Sequence, residues 1–319
     1  MRSVLTVTLL SLALPSTARD ISLGLPIDCD LGTTCYIQNY VDHDPTAGRQ
    51  DLFCGNLTYD GHDGTDFALP SILSQQRGVT VLAVAPGRVA ALRSNMEDVL
   101  QGTPNAPDVT DRECGNGVVI DHGGGWVSQY CHLAKSSVSV SVGDQVAMGQ
   151  PIGLVGLSGQ TEFPHLHLSL RHDEIAVDPF SPNADTCGEV GETLWLSAPP
   201  TPVGGLISSG FAAAVPDYNT VKQGFAAAIN LTPADNLVLW AFAFGAEPGD
   251  QIQLTITGPD GQTVHDHTEV LDRTQALVMR ASGRRSPAAG WPSGIYTGTV
   301  QHRRGADILD QQTLAITVQ

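Results

Sequence analysis

The chain has 319 residues, 33 Asp and Glu against 16 Lys and Arg, a formal net charge of -17, and 41% hydrophobic but only 15% charged residues. That length suits two folded units with real cores, and the apolar share excludes a chain disordered by composition. The acidic balance weighs against a nucleic-acid partner, because neutralising phosphates needs basic patches.

Taken in chain order, the first elements concern export. Arg2 is a minimal basic start, Val4 to Leu14 form a short apolar run, and Ser16-Thr17-Ala18 supplies small residues for cleavage. This predicts a signal peptide over 1–18, cut near Ala18, and a periplasmic or secreted protein. The apolar run is too short to cross a bilayer, and no other stretch is long and apolar enough, so no membrane span is expected. Residues 19–57 read as an N-terminal extension rich in Asp, Gly and Cys, with one apolar run from Tyr36 to Val41. All six cysteines, Cys29, Cys35, Cys54, Cys114, Cys131 and Cys187, precede residue 190 and none forms a CxxC pair. In an exported chain that pattern predicts disulfides in the first folded unit, with most of the pairing left open.

From Thr58 onward short β-branched runs alternate with Gly turns: Val79 to Val84, Gly87 to Leu92, Gly117 to Asp121, Trp126 to Leu133, Val138 to Val142 and Pro151 to Leu157. They predict an all-β domain over 58–197. Gly117 to Asp121 and Trp126 to Tyr130 flank the Gly123 to Gly125 turn as a hairpin. That places Cys114 opposite Cys131 and predicts a disulfide between them. Ser94 to Asn116 reads as a long loop. Residues 198–210, with Ala198-Pro199-Pro200-Thr201-Pro202, read as a linker. Over 211–319, the runs Leu237 to Phe244, Gln251 to Thr257, Ala276 to Ala281, Gly294 to His302 and Leu314 to Val318 predict a small immunoglobulin-like β-sandwich.

The chemistry concentrates in three segments: Gly61-His62-Asp63-Gly64-Thr65-Asp66, Tyr130-Cys131-His132-Leu133 and Pro164-His165-Leu166-His167-Leu168. Imidazole and carboxylate suit zinc, and a catalytic zinc keeps three protein ligands and an open position. Asp63-Gly64 is a turn signal, so a turn is expected to bring His62 and Asp66 together. His165 and His167, two apart in an apolar run, project from one face of a strand while Leu166 and Leu168 face a core. Spacing alone does not decide which of these two histidines would bind a metal, since both could.

H-x-G-x-D, a downstream Tyr-x-His-Leu and a closing H-L-H, in that order from Thr58 to Asp178, resemble the lysostaphin/LytM-type zinc endopeptidases. Val118-Val119-Ile120-Asp121-His122-Gly123, Val142-Gly143-Asp144-Gln145-Val146 and Gly149-Gln150-Pro151-Ile152-Gly153 agree with the same pattern. The resemblance implies a LytM-type antiparallel sheet and one zinc ion per chain on His62, Asp66 and His167. His132 and His165 would be the catalytic histidines outside the ligand set. The implied activity is peptide-bond hydrolysis in peptidoglycan stem peptides or cross-bridges. The alternatives are a secreted endopeptidase acting on proteins, or a non-enzymatic cell-wall binding and activator module that has lost its ligands; here all five positions are filled. No H-E-x-x-H supplies a Glu base. His43, His122 and the pair His265-Asp266-His267 lack such partners and are expected to be solvated or structural. The segments before Leu57 and over Ser94 to Asn116 are candidates to cover the site. The part after Pro202 is expected to scaffold or target without supplying a catalytic residue.

Overall fold

The computed structural model describes residues 21–319 except 105, 185 and 190; the signal peptide expected over 1–18 lies outside the described residues. Within them the chain is almost entirely β. In order it forms β1 (Tyr36–Asn39), β2 (Gly64–Ala68), helix α1 (Ile72–Gln76), β3 (Thr80–Leu82), β4 (Gly87–Arg93), β5 (Asn116–Gly123), β6 (Trp126–Leu133), β7 (Gln145–Val146), β8 (Pro151–Leu154), β9 (His165–His172) and β10 (Ile175–Ala176). Then come β11 (Gly205–Ala212), helix α2 (Tyr218–Gln223), β12 (Asn230–Leu231), β13 (Leu237–Ala246), β14 (Gln251–Thr257), β15 (Thr263–Val270), β16 (Gln275–Arg284), β17 (Gly294–Arg304) and β18 (Asp307–Val318). Among the described residues no helix is long and apolar enough to cross a membrane.

The first sheet runs β1-β2-β9-β6-β5-β4-β7, with β10 extending β9 and β3 pairing β8 separately. Period-two alternation builds its core: Leu166, Leu168 and Leu170 of β9 are buried with Val118, Ile120 and Tyr130 of the β5–β6 hairpin. The Cys114–Cys131 disulfide forms, as the hairpin reading expects. The other pairs are Cys29–Cys35 and Cys54–Cys187. The second of these ties the N-terminal segment to the end of the first unit. That segment is part of the sheet: β1 pairs antiparallel with β2, Asn39 opposite Asp66. His43 is not solvated; its Nε2 lies 2.9 Å from Asp178 Oδ2, with both side chains buried.

Residues 205–212 are a strand rather than a continuation of the linker expected over 198–210, because Leu206, Ile207 and Phe211 find apolar partners on both faces. The C-terminal part is a sandwich of a three-stranded sheet (β11-β13-β16) and a five-stranded sheet (β12-β18-β17-β14-β15). In β13, Leu237, Leu239, Ala241 and Ala243 enter the sandwich core, while Trp240, Phe242 and Phe244 join the core of the first unit. All ten residues of β13 are therefore buried, which explains the unbroken apolar run LVLWAFAFGA. Each large side chain on the outer face contributes on the order of 1.5–3 kcal/mol to docking the two parts. Phe244 packs its ring 4.7 Å from that of Tyr36. Tyr40 donates its hydroxyl to Pro202 O at 3.0 Å. Val138 to Val142, which alternates like a strand, forms none; its ladder reduces to Ser139 N donating to Ile152 O.

Candidate metal centre

His62, Asp66 and His167 converge, each offering one donor atom within 4.8 Å of the others. The sequence explains how. His62 and the strand Gly64–Ala68 are extended, so no turn intervenes and residues 62, 64 and 66 share one face. β9 pairs antiparallel with Asp66 opposite His167 and Gly64 opposite Ser169. A Cβ on Gly64 would lie 2.7 Å from His167 Nε2 and 2.6 Å from Leu168 O. The glycine of the motif is the space the third imidazole occupies.

Outer partners fix which ring nitrogen faces inward. His62 Nδ1 lies 2.6 Å from Tyr40 O. A carbonyl cannot donate, so that nitrogen carries the proton and Nε2 presents a lone pair. His167 Nε2 lies 2.9 Å from Ser169 Oγ, whose hydroxyl donates to Asp63 Oδ1 at 3.3 Å. Nε2 is therefore the donor and Nδ1 faces inward. Asn39 Nδ2 donates to Asp66 Oδ2 at 2.8 Å, leaving Oδ1 for the centre. The inward atoms are 3.2 Å (His62–Asp66), 3.1 Å (His62–His167) and 2.9 Å (His167–Asp66) apart. Ligands around zinc, with bonds of about 2.0–2.1 Å in a tetrahedron, stand about 3.4 Å apart. Three converging lone pairs repel one another unless a cation sits between them, so this donor set fits one zinc ion.

The local charge agrees. Burial opposes ionisation of Asp66, but His62, His165 and His167 outweigh it and hold its carboxyl well below the usual range. Burial opposes charge on His167 too, yet the hydrogen bonds to Asp63 and Asp66 push it up to about 9. The position attracts positive charge, as a proton or as a metal ion that displaces it.

Beside this triad stand His132 and His165, rings 4.6 Å apart. His132 Nδ1 lies 2.9 Å from Ser158 O. His165 Nδ1 lies 2.9 Å from Phe163 O and 3.0 Å from Thr161 Oγ1. Both rings thus carry the proton on Nδ1 and turn a basic Nε2 toward the cleft. Desolvation, chiefly, lowers both pKa values, His132 far below the usual range, so the rings are neutral at pH 7. His132 adopts a left-handed backbone, φ 62°, rare for a side chain with a Cβ. The disulfide at Cys131, its N–H donating to Cys114 O and Gly156 N–H donating to its carbonyl hold it there.

The five residues expected from sequence are therefore brought together, while His122 and the His265–His267 pair lie elsewhere. His122 is tied to Pro86 O and Ser128 Oγ. Sequence reasoning missed Asn39, the carbonyls of Tyr40, Ser158 and Phe163, and Ser169. The loop over 94–116 supports the site rather than covering it: Glu113 O accepts from Gln160 N, and Gln101 N donates to Thr161 O. The segment before Leu57 does border the site, and Tyr59 just after it packs its ring, tilted, with its centroid 4.4 Å from that of His62.

Residues 60–179, which hold all five of these side chains, match the profile of peptidase family M23. Among curated proteins, the peptidoglycan DD-endopeptidase ShyA of Vibrio cholerae is 37% identical over 109 residues, 34% of this chain and 20% of that protein. The murein hydrolase activator EnvC of Escherichia coli is 38% identical over 108 residues, 34% of this chain and 22% of that one. The chain thus spans about a fifth of the length of these relatives. Among solved structures, a zinc-containing peptidase from Vibrio cholerae is 26% identical, with 48% of this chain and 37% of that chain covered and a TM-score of 0.33.

Proposed function

We propose that the protein is an exported zinc-dependent endopeptidase that hydrolyses peptide bonds of peptidoglycan, in its stem peptides or cross-bridges, in the periplasm or outside the cell. The observation that carries this reading is the pairing of two sets of nitrogen atoms. His62 Nε2 and His167 Nδ1 converge on Asp66 Oδ1 as metal ligands would, and His132 and His165 line the adjoining cleft with each Nδ1 bonded to a carbonyl and His165 Nε2 3.6 Å from Asp66 Oδ1. His62, Asp66 and His167 would hold a zinc ion there, which would supply Lewis acidity toward a scissile carbonyl and lower the pKa of water toward about 7.

The chain's own residues supply the rest. As neutral imidazoles at pH 7, His132 and His165 accept a proton from the attacking water at Nε2, return one to the departing amine, and hydrogen-bond the developing oxyanion when protonated. Ser158 O and Phe163 O keep both rings in the tautomer this requires. The domains in this reading are the signal peptide over 1–18, the extension over 19–57, the peptidase over 58–197, and the sandwich after a linker.

Purified mature chain should solubilise sacculi, and chelator should abolish that activity until zinc is restored. Casein digested in parallel tests the protein-substrate alternative. A zinc-loaded chain that cleaves neither but stimulates another cell-wall hydrolase would replace this reading with the activator role that EnvC's name describes.

A further inference from the structure

The cleft that opens at Asp66, His132 and His165 has a volume of about 860 Å³ and is not confined to the peptidase domain; its far side is built by α2, the β13–β14 turn and the start of β16. We propose that the C-terminal sandwich is one wall of the substrate-binding cleft, and that Lys222 on it recognises a free carboxylate of a bound peptide. The inference rests on the peptidase reading above and assigns it a substrate feature.

Lys222 reaches across the seam, its Nζ donating to Glu162 O at 3.3 Å. Glu162 lies between Thr161 and Phe163, the residues that hold His165 Nδ1. The ammonium thus lines the same cleft as His165, with two of its three donors left over beside the Tyr218 ring, whose centroid is 5.9 Å from Nζ. Among the described residues it makes no ion pair, in a chain where acidic residues outnumber basic ones 33 to 16. Arg304, the other cation the sandwich brings to the cleft, is occupied by Asp250 and Glu247. The helix carrying Lys222 is held against the peptidase domain. Val221 is buried in that core, and a Cβ on Gly224, the cap, would lie 2.7 Å from Ser71 Oγ.

A second, independent observation points to a peptide. Two residues lining this cleft, Gln38 from the peptidase side and Gln275 from the sandwich side, each hold a buried amide oxygen, Oε1, with no hydrogen-bond partner among the described residues. Gln38 is only 2% exposed. Buried unmet acceptors are costly, and a peptide N–H is the group that satisfies them. Acceptors for N–H on the seam and a cation in the cleft that His165 lines together describe a peptide carrying a carboxylate.

The test is binding rather than turnover. Zinc-loaded full chain carrying His132→Ala is titrated calorimetrically with stem peptides released from purified sacculi, either untreated or with their carboxylates amidated. Amidation should weaken binding about tenfold, as expected for losing a hydrogen bond between charged groups. Adding Lys222→Met should cost the same about tenfold on the untreated peptide and nothing further on the amidated one. Gln275→Leu should weaken both peptides alike. A merely structural role for Lys222, through Glu162, would instead shift both peptides equally, and that result overturns the proposal, as does failure of either peptide to bind. Should the wild-type chain bind with this pattern yet cleave nothing, the peptidase reading fails while the carboxylate site stands.

Discussion

Two strands of this molecule carry the sequence H-x-H, and among the described residues only one of them brings it into a candidate metal centre. In β9, His165-Leu166-His167 is buried, faces β2 across a glycine, and has Asp66 directly opposite His167. In β15, His265-Asp266-His267 has even a carboxylate between the histidines, but the strand lies at the edge of its sheet. There Asp266 is spent on Gln253 and Thr255, His265 bonds Ser282 Oγ, and the two rings stand 6.3 Å apart. Ligand types at a plausible spacing are therefore not a site. What makes one is an opposing strand that supplies the third donor, burial that excludes water, and outer partners that fix each tautomer so that the lone pairs converge.

The contrast can be broken most completely at its ligands. His62→Ala or Asp66→Ala should reduce bound zinc from one per chain to near none, by elemental analysis, and activity should fall to background with it. His132→Ala should be almost as damaging to rate, a loss of about a hundredfold or more, yet leave zinc bound, because it removes a proton acceptor and no ligand. Gly64→Ala sharpens the role of the opposing strand. The new methyl would displace His167 or Leu168 O, so competition with a chromogenic chelator should reveal weaker zinc binding, and overpacking should cost about 1–3 kcal/mol of stability in denaturant titration. Ser169→Ala removes only the outer partner that orients His167 and should weaken zinc binding about tenfold or somewhat more. Smallest of all, replacing His265 and His267 together by Ala should change zinc content not at all and stability by no more than about 0.5 kcal/mol each.

The same contrast explains what was legible in the sequence. The five histidine and aspartate positions stand out because their residue types suit metal binding and proton transfer and because the spacing within each of their three segments is local. The groups that orient them are largely backbone carbonyls, of Tyr40, Ser158 and Phe163, and a carbonyl leaves no mark on residue type. Asn39 enters only through the pairing of β1 with β2, a long-range register that no local pattern encodes. The hairpin and its Cys114–Cys131 disulfide were readable because turn, strands and cysteines lie within one stretch. β11 hid behind Pro and Gly that read as linker, although Leu206, Ile207 and Phe211 were its signal. β15 hid because an edge strand with polar residues on both faces shows no alternation. The docking of the sandwich was latent in the unbroken apolar run of β13, which needs a cover on each face.

The central claim is that the two histidines of β9 have different duties, His167 as ligand and His165 as catalytic base. Zinc per chain, measured by elemental analysis on folded, dialysed His165→Ala and His167→Ala proteins, tests it most directly. The geometry predicts one zinc ion in the first and none in the second, because among the described residues His167 Nδ1 closes the triangle with His62 Nε2 and Asp66 Oδ1, whereas His165 Nε2 stands 3.6 Å from Asp66 Oδ1 and outside that group. Zinc lost from His165→Ala and kept by His167→Ala would contradict it.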